Sequence, residues 1–209
     1  MSYDTTDADR DAMYEEISRE LYPDHKAQAI NEFTTARLQS YYAANPWVMR
    51  PAVDAIQEGR RLMVNDHNSA AVIFFVTAVE LLLKATLLKP VVHGLVHSEG
   101  LAEAIVQQAL GQPGFDRYTK LLAKLFSELV GIEIATVARD AASRPLLAEC
   151  TTQQVLRNKI IHQGADATHE QAELARLVAV AIYDLIVRPM LGCLGLLVVD
   201  GGEIKQRDG

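Results

Sequence analysis

Residues 69–89 read Ser69-Ala70-Ala71-Val72-Ile73-Phe74-Phe75-Val76-Thr77-Ala78-Val79-Glu80-Leu81-Leu82-Leu83-Lys84-Ala85-Thr86-Leu87-Leu88-Lys89. As a helix, the first half of this stretch has no polar stripe to give to solvent, so neighbouring helices must cover most of its circumference. That makes it the expected centre of the fold. Pro90, which lacks an amide donor, is read as its stop, and Val91–Gly100 as a connecting loop carrying His93 and His97. On the other side, Asn65-Asp66-His67-Asn68-Ser69 is a dense turn signal. It sets the central helix antiparallel to a preceding one, in which Pro51 suits the first turn and Val53, Ile56, Arg60 and Val64 trace the path to Asn65.

Farther from the centre the helical period continues in both directions. Met13, Ile17 and Leu21 recur every four residues in a short first helix that Pro23 should end, and Asp24 can cap a second running to about Asn45. Downstream, a short helix is expected from Leu101 to Leu110, closed by Gly111, Pro113 and Gly114. An amphipathic segment then covers Tyr118–Val130, with Leu121, Leu122, Leu125, Phe126 and Leu129 on one face, and Gly131 closes it. Pro145 opens a helix through Leu146, Leu147, Val155, Leu156 and Ile160 that stops at Gly164. Thr168-His169-Glu170-Gln171 matches a capping box, and the last helix follows it with a core face of Leu174, Leu177, Val178, Ala181, Ile182 and Leu185. The expectation is therefore an all-α, up-and-down helical bundle. Residues 1–50 read as an N-terminal helical extension packed on the core, 51–199 as the main domain and 200–209 as a flexible tail.

Charge and composition narrow the function. With 20 Lys and Arg against 27 Asp and Glu, the chain has a formal net charge of −7, so no generally basic surface is available to coat a nucleic acid. Any RNA contact must be local. Cys150 and Cys193 are far apart and have neither CxxC nor ligand spacing, so no disulfide framework, metal or cofactor is called for. The N-terminus is acidic where a signal peptide would be basic and then apolar. Ala70–Val79 and Pro189–Val199 are each short of the roughly 20 apolar residues that span a bilayer. A cytoplasmic protein without a membrane segment is expected.

The segment that carries chemistry is Arg157-Asn158-Lys159-Ile160-Ile161-His162, an Arg, four residues and a His near the end of a late helix. With the earlier core helix through Ala78-Val79-Glu80-Leu81-Leu82-Leu83-Lys84, it resembles the HEPN family, over about Pro51–Arg188. The family signature is an Arg, four to six residues and a His, usually with a polar residue directly after the Arg, a place that Asn158 fills. The resemblance implies a metal-independent endoribonuclease, a toxin or anti-phage effector, acting as a homodimer with its site at the interface. RNA is then the substrate, and an antitoxin or defence-system protein a possible partner. The family also has noncatalytic members, so a binding or adaptor module for RNA or nucleotides is the alternative.

The residue chemistry agrees with that implication. Metal-free RNA cleavage needs a base for the ribose 2′-OH and a cation for the charge growing on the attacked phosphate. Histidine, whose ordinary pKa is roughly 6.5, accepts a proton at neutral pH. Arginine offers a permanently charged fork to phosphate oxygens. His162 is therefore the candidate base or acid, Arg157 the phosphate clamp, and the expected products are a 2′,3′-cyclic phosphate and a 5′-hydroxyl. Five residues turn a regular helix by about 500°, leaving Arg157 and His162 roughly 140° apart and about 7.5 Å apart along the axis. Asn158, four residues before His162, shares its face and can either fix the imidazole or contact substrate. Arg157 must be brought in by its long side chain, by a local distortion or by a second copy of the helix.

Other residues carry less. Glu80 lies in an apolar run and should pair with a cation, either Arg157 or Lys84 one turn away. His93 and His97 have the spacing of a zinc pair, but no HExxH glutamate or third ligand accompanies them. Trp47, Tyr41 and Tyr42 are of a type that stacks on bases, yet beside Pro46 aromatics more often pack on a neighbouring helix. Arg60-Arg61 reads as a solvated face.

Overall fold

The computed structural model describes residues 5–96, 98–110, 122–123, 126–127, 131, 133–140 and 144–207; side chains are described from residue 13 onward, except 17–24, 27, 109 and 110. Among the described residues the fold is all-α apart from a small C-terminal hairpin and an isolated bridge between Ala138 and Pro145. Its helices are α1 (Thr5–Ala44), α2 (Arg50–Val64), α3 (Asn68–Leu95), α4 (Glu99–Leu110), α5 (Leu146–Gln163) and α6 (169–193), followed by strands β1 (Leu196–Val199) and β2 (Glu203–Gln206).

Helix α3 holds the centre, with α2, α5 and α6 against its sides. Ala71, Val72, Phe75, Val76, Ala78 and Val79 are buried, which is what an apolar helix with little polar face requires. The contact with α2 is close because Gly59 faces the Phe75 ring: a Cβ at Gly59 would stand 2.7 Å from it. Helix α2 buries Ala52, Ala55 and Gly59, one residue away from the Val53–Ile56–Arg60–Val64 line, and Val64 is 81% exposed. Small residues win that face because they let the two backbones approach.

Pro90 does not stop α3. The helix widens to a π segment over Leu82–Leu88, in which the Lys89 N–H donates to the Lys84 carbonyl, and then resumes through Leu95 with Pro90 in its first turn. The wider turn accommodates a ring that would clash in a regular helix. Helix α6 repeats the device. It is α-helical over His169–Ile182, π over Tyr183–Val187 with Arg188 N–H donating to the Tyr183 carbonyl, and α-helical again over Arg188–Cys193, with Pro189 in the first turn. The two widened turns pack against each other. His93 consequently stands on a helix, whereas His97 lies outside the described residues. Because it runs past Glu80, α3 is also long and apolar enough to cross a membrane by length and composition, contrary to the short run read from sequence. Here its sides are covered by the other helices.

Helix α1 runs unbroken through Pro23 as 40 residues, where two helices were expected. A proline inside a helix removes one hydrogen bond and need not end it. Leu38 and Tyr42 bury the C-terminal part of α1 against the bundle, while Met13, Tyr14, Ile30 and Phe33 are each more than half exposed. The expected Tyr118–Val130 helix falls largely outside the described residues, although Leu122 and Phe126 are helical and buried within it. Residues 133–140 form a short irregular path, with a 3₁₀ turn at Ile134–Thr136 and Arg139 paired to Glu149 of α5 at 2.7 Å.

The two ends of the α5–α6 joint follow the sequence reading closely. Gly164 takes a left-handed φ of 65°, and Thr168 and Gln171 complete the capping box. Between them, Ala167 N–H donates to the Ser69 hydroxyl at 2.8 Å, fastening the joint to the start of α3. The faces are less faithful. Of the expected face of α6, Val178, Ala181 and Ile182 are buried, but Leu174, Leu177 and Leu185 remain 36–38% exposed while Ala172, Ala175 and Ala179 are buried instead. On α5, Cys150 and Gln153 are buried and Val155 is half exposed. The presumed tail is also structured. Val199 pairs with Glu203 in an antiparallel hairpin, Ile204 is buried, and its N–H donates to the Pro46 carbonyl at 2.7 Å.

Candidate functional site

Arg157, Asn158 and His162 all lie in the C-terminal half of α5, which stays α-helical to Gln163. That regularity preserves the roughly 140° offset between Arg157 and His162. By helical phase Arg157 falls on the same side as Cys150 and Gln153, the residues buried toward the core, and is itself half-buried. Asn158 and His162 fall on the opposite, exposed side with Val155.

The long Arg157 side chain bridges the two sides. Its Nη1 donates to the Asn158 Oδ1 at 3.2 Å, so the guanidinium reaches the residue that lies one turn before His162. Asn158 therefore accepts from Arg157, where the sequence reading paired it with the imidazole or with substrate. His162 stands exposed in the last turn of α5.

Glu80 is not joined to Arg157. It takes a hydrogen bond from the Gln154 Nε2 at 3.3 Å, and no Glu80–Arg157 or Glu80–Lys84 ion pair is present among the described residues. Glu80 and Gln154 line a narrow crevice between α3 and α5 together with Val76, Val79, Cys150 and Gln153. The Gln153 Oε1 is buried there without a hydrogen-bond partner among the described residues. Burial, with the Glu149 carboxylate adding to it, pushes the Cys150 thiol well above the ordinary thiol range, so this sulfur is not a nucleophile. The half-buried Glu80 is thus in the wall behind α5, away from the exposed Asn158–His162 side, and Lys84 is half-buried one turn further along α3.

A second polar cluster went unnoticed in the sequence. Arg37 and Tyr41, one turn apart on α1, meet His93 near the end of α3. Reading 91–100 as loop removed the helical phase that would have brought His93 to them. Among the described residues no group of three or more His, Cys, Asp or Glu side chains is arranged to hold a metal ion. No family model matches this chain, and neither a curated protein nor a solved structure matches it significantly.

Proposed function

We propose that the protein is an endoribonuclease of HEPN type, a cytoplasmic toxin or anti-phage effector that cleaves RNA by attack of the ribose 2′-OH on the adjacent phosphate. The observation that carries this reading is the Arg157–Asn158 hydrogen bond, which draws a permanent cation round α5 toward the side that holds exposed His162. A base and a phosphate clamp are then within reach of one another on an accessible helix end. His162 takes the 2′-OH proton, Arg157 holds the phosphate oxygens, and Asn158 sets the guanidinium and offers its amide to substrate.

The active unit in this reading is a two-fold homodimer. Val155, beside Asn158 and His162 on α5, leaves apolar surface uncovered next to the motif, and Leu174 and Leu177 of α6 are also partly exposed. A second copy seated there brings a second Arg157 toward His162.

The test is cleavage of single-stranded and structured RNA by the purified protein in excess EDTA. We expect a 2′,3′-cyclic phosphate product, and loss of turnover in both His162→Ala and Arg157→Ala with the helical circular dichroism unchanged. Arg157→Lys should rescue poorly, because an ammonium lacks the bidentate fork. Cleavage that survives His162→Ala, or that needs an added divalent metal, would overturn the assignment. RNA binding without cleavage would point instead to the noncatalytic module.

A further inference from the structure

The C-terminal hairpin has one covered edge and one open edge. Next to β1 and β2, the Arg207 N–H donates to the Gly195 carbonyl at 2.8 Å. In the register Leu196↔Gln206, Leu197↔Lys205, Val198↔Ile204 and Val199↔Glu203, this makes Leu197 and Val199 the residues of β1 that exchange hydrogen bonds with β2. Leu196 and Val198 therefore turn their N–H and C=O groups away from β2. The same alternation turns Ile204 outward on β2, where its N–H donates to the Pro46 carbonyl at 2.7 Å and that edge is covered. Among the described residues no hydrogen bond takes up the outward backbone groups of Leu196 and Val198.

The open edge borders a groove of about 440 Å³ between β1 and the last turns of α6. Leu196, Leu197 and Val198 all line it, although successive side chains of a strand point to opposite faces. The groove thus follows the edge of the strand rather than one of its faces. Pro189 and Gly192 of α6 stand on the other side. Gly192 is exposed, and a Cβ there would meet nothing within 4 Å, so the space beside the strand is free. Edge strands are commonly blunted by a charge or a proline, and Leu196-Leu197-Val198-Val199 has neither.

Charge selects the occupant. Both charged residues that line the groove are arginines, Arg188 and Arg207, and both are exposed. Arg188 is loosely held, with its Nη1 3.5 Å from the Asp184 Oδ1. A second copy paired edge to edge would set its own two arginines against these, and like charges oppose that pairing. We propose that the edge of β1 takes an extended acidic peptide of a partner protein as a third strand. Its main chain pairs with Leu196 and Val198, its apolar side chains lie along Leu197 and Pro189, and its carboxylates meet Arg188 and Arg207. The proposal does not depend on the ribonuclease reading.

The experiment follows the Leu196 and Val198 amides of the full chain by NMR and hydrogen exchange, with two pools of end-capped pentapeptides as probes. Both pools carry valine, isoleucine, leucine, phenylalanine or tyrosine at the three middle positions; one has glutamate at each end, the other lysine. In the free chain both amides should exchange fast. The glutamate pool at millimolar concentration should shift both amides saturably and slow their exchange, and the lysine pool should bind about tenfold more weakly or worse. Val198→Pro, which removes an outward donor that β2 does not use, and the double variant Arg188→Ser, Arg207→Ser should each weaken the glutamate pool by about tenfold. N-methylating the middle amides of the peptides removes their donors without touching the protein, and so tests strand pairing even where Val198→Pro unfolds. If the glutamate pool leaves both amides unmoved, or if the lysine and N-methylated pools bind as tightly, the assignment is wrong. Amides already protected in the free chain would give the edge to a second copy and overturn the acidic partner.

Discussion

Tyr42 shows how one side chain makes a sequence conflict tolerable. In a regular helix the Thr86 carbonyl would accept from the amide at position 90, and Pro90 has none. The buried Tyr42 hydroxyl donates to that carbonyl at 2.6 Å. Burial, with the neighbouring Tyr41 adding to it, lifts the Tyr42 phenol far above its ordinary range, so it remains a donor at any pH the fold survives. Tyr42→Phe keeps the packing and removes the donor. We expect it to lower stability by about 1–3 kcal/mol in urea unfolding, with the m-value unchanged. A Tyr42→Phe protein as stable as the parent would mean that the carbonyl finds another donor. At the same scale, the sequence reading selected Arg157 and His162 by residue type and spacing. That Arg157 is tied to Asn158 depends on side-chain reach, which spacing does not specify.

At the scale of elements, the α5–α6 joint and the two π segments solve opposite problems. The joint must end one helix and start another, and it uses local chemistry for both: a left-handed glycine, then reciprocal hydrogen bonds between Thr168 and Gln171. Thr168→Ala removes the hydroxyl that accepts from the Gln171 N–H, leaving an amide of the first turn without it. The expected loss is about 1 kcal/mol, seen as a fall of roughly 2–4 °C in Tm. No change in melting would show that solvent satisfies the amide equally well. The π segments instead keep a helix going through a residue that would normally end it. Pro90 and Pro189 each follow a widened turn, and these turns pack on each other in the core. Burial on several sides makes continuing the helix more favourable than breaking it there.

For the whole molecule, the open question is whether one chain or two complete the proposed site. The offset along α5 favours two, whereas the Arg157–Asn158 bond allows a site within one chain. Mixing Arg157→Ala and His162→Ala chains after dissociation and reassociation separates the two. With random reassortment about half the dimers are mixed and one of their two sites is intact, so a shared site should recover roughly a quarter of wild-type cleavage. Heterodimers seen by mass spectrometry without recovered cleavage would sink the shared site and leave the ribonuclease reading intact.

Periodicity and local chemistry by themselves determined that the chain is all-α, that 69–89 forms its centre, and where α2, α5 and α6 begin. These features rest on short-range signals: caps, left-handed glycines, turn clusters and 3.6-residue spacing. The tertiary structure decided whether Pro23, Pro90 and Pro189 end helices, because that depends on what packs round them. It decided which face is buried, choosing Ala172, Ala175 and Ala179 over Leu174 and Leu177 where neighbouring helices come close. It ordered Glu203–Gln206 too, since β2 has its partner in β1 and its anchor at Pro46, more than 150 positions away. The Arg37–Tyr41–His93 cluster belongs with these: its members come from α1 and α3, and only packing brings them together.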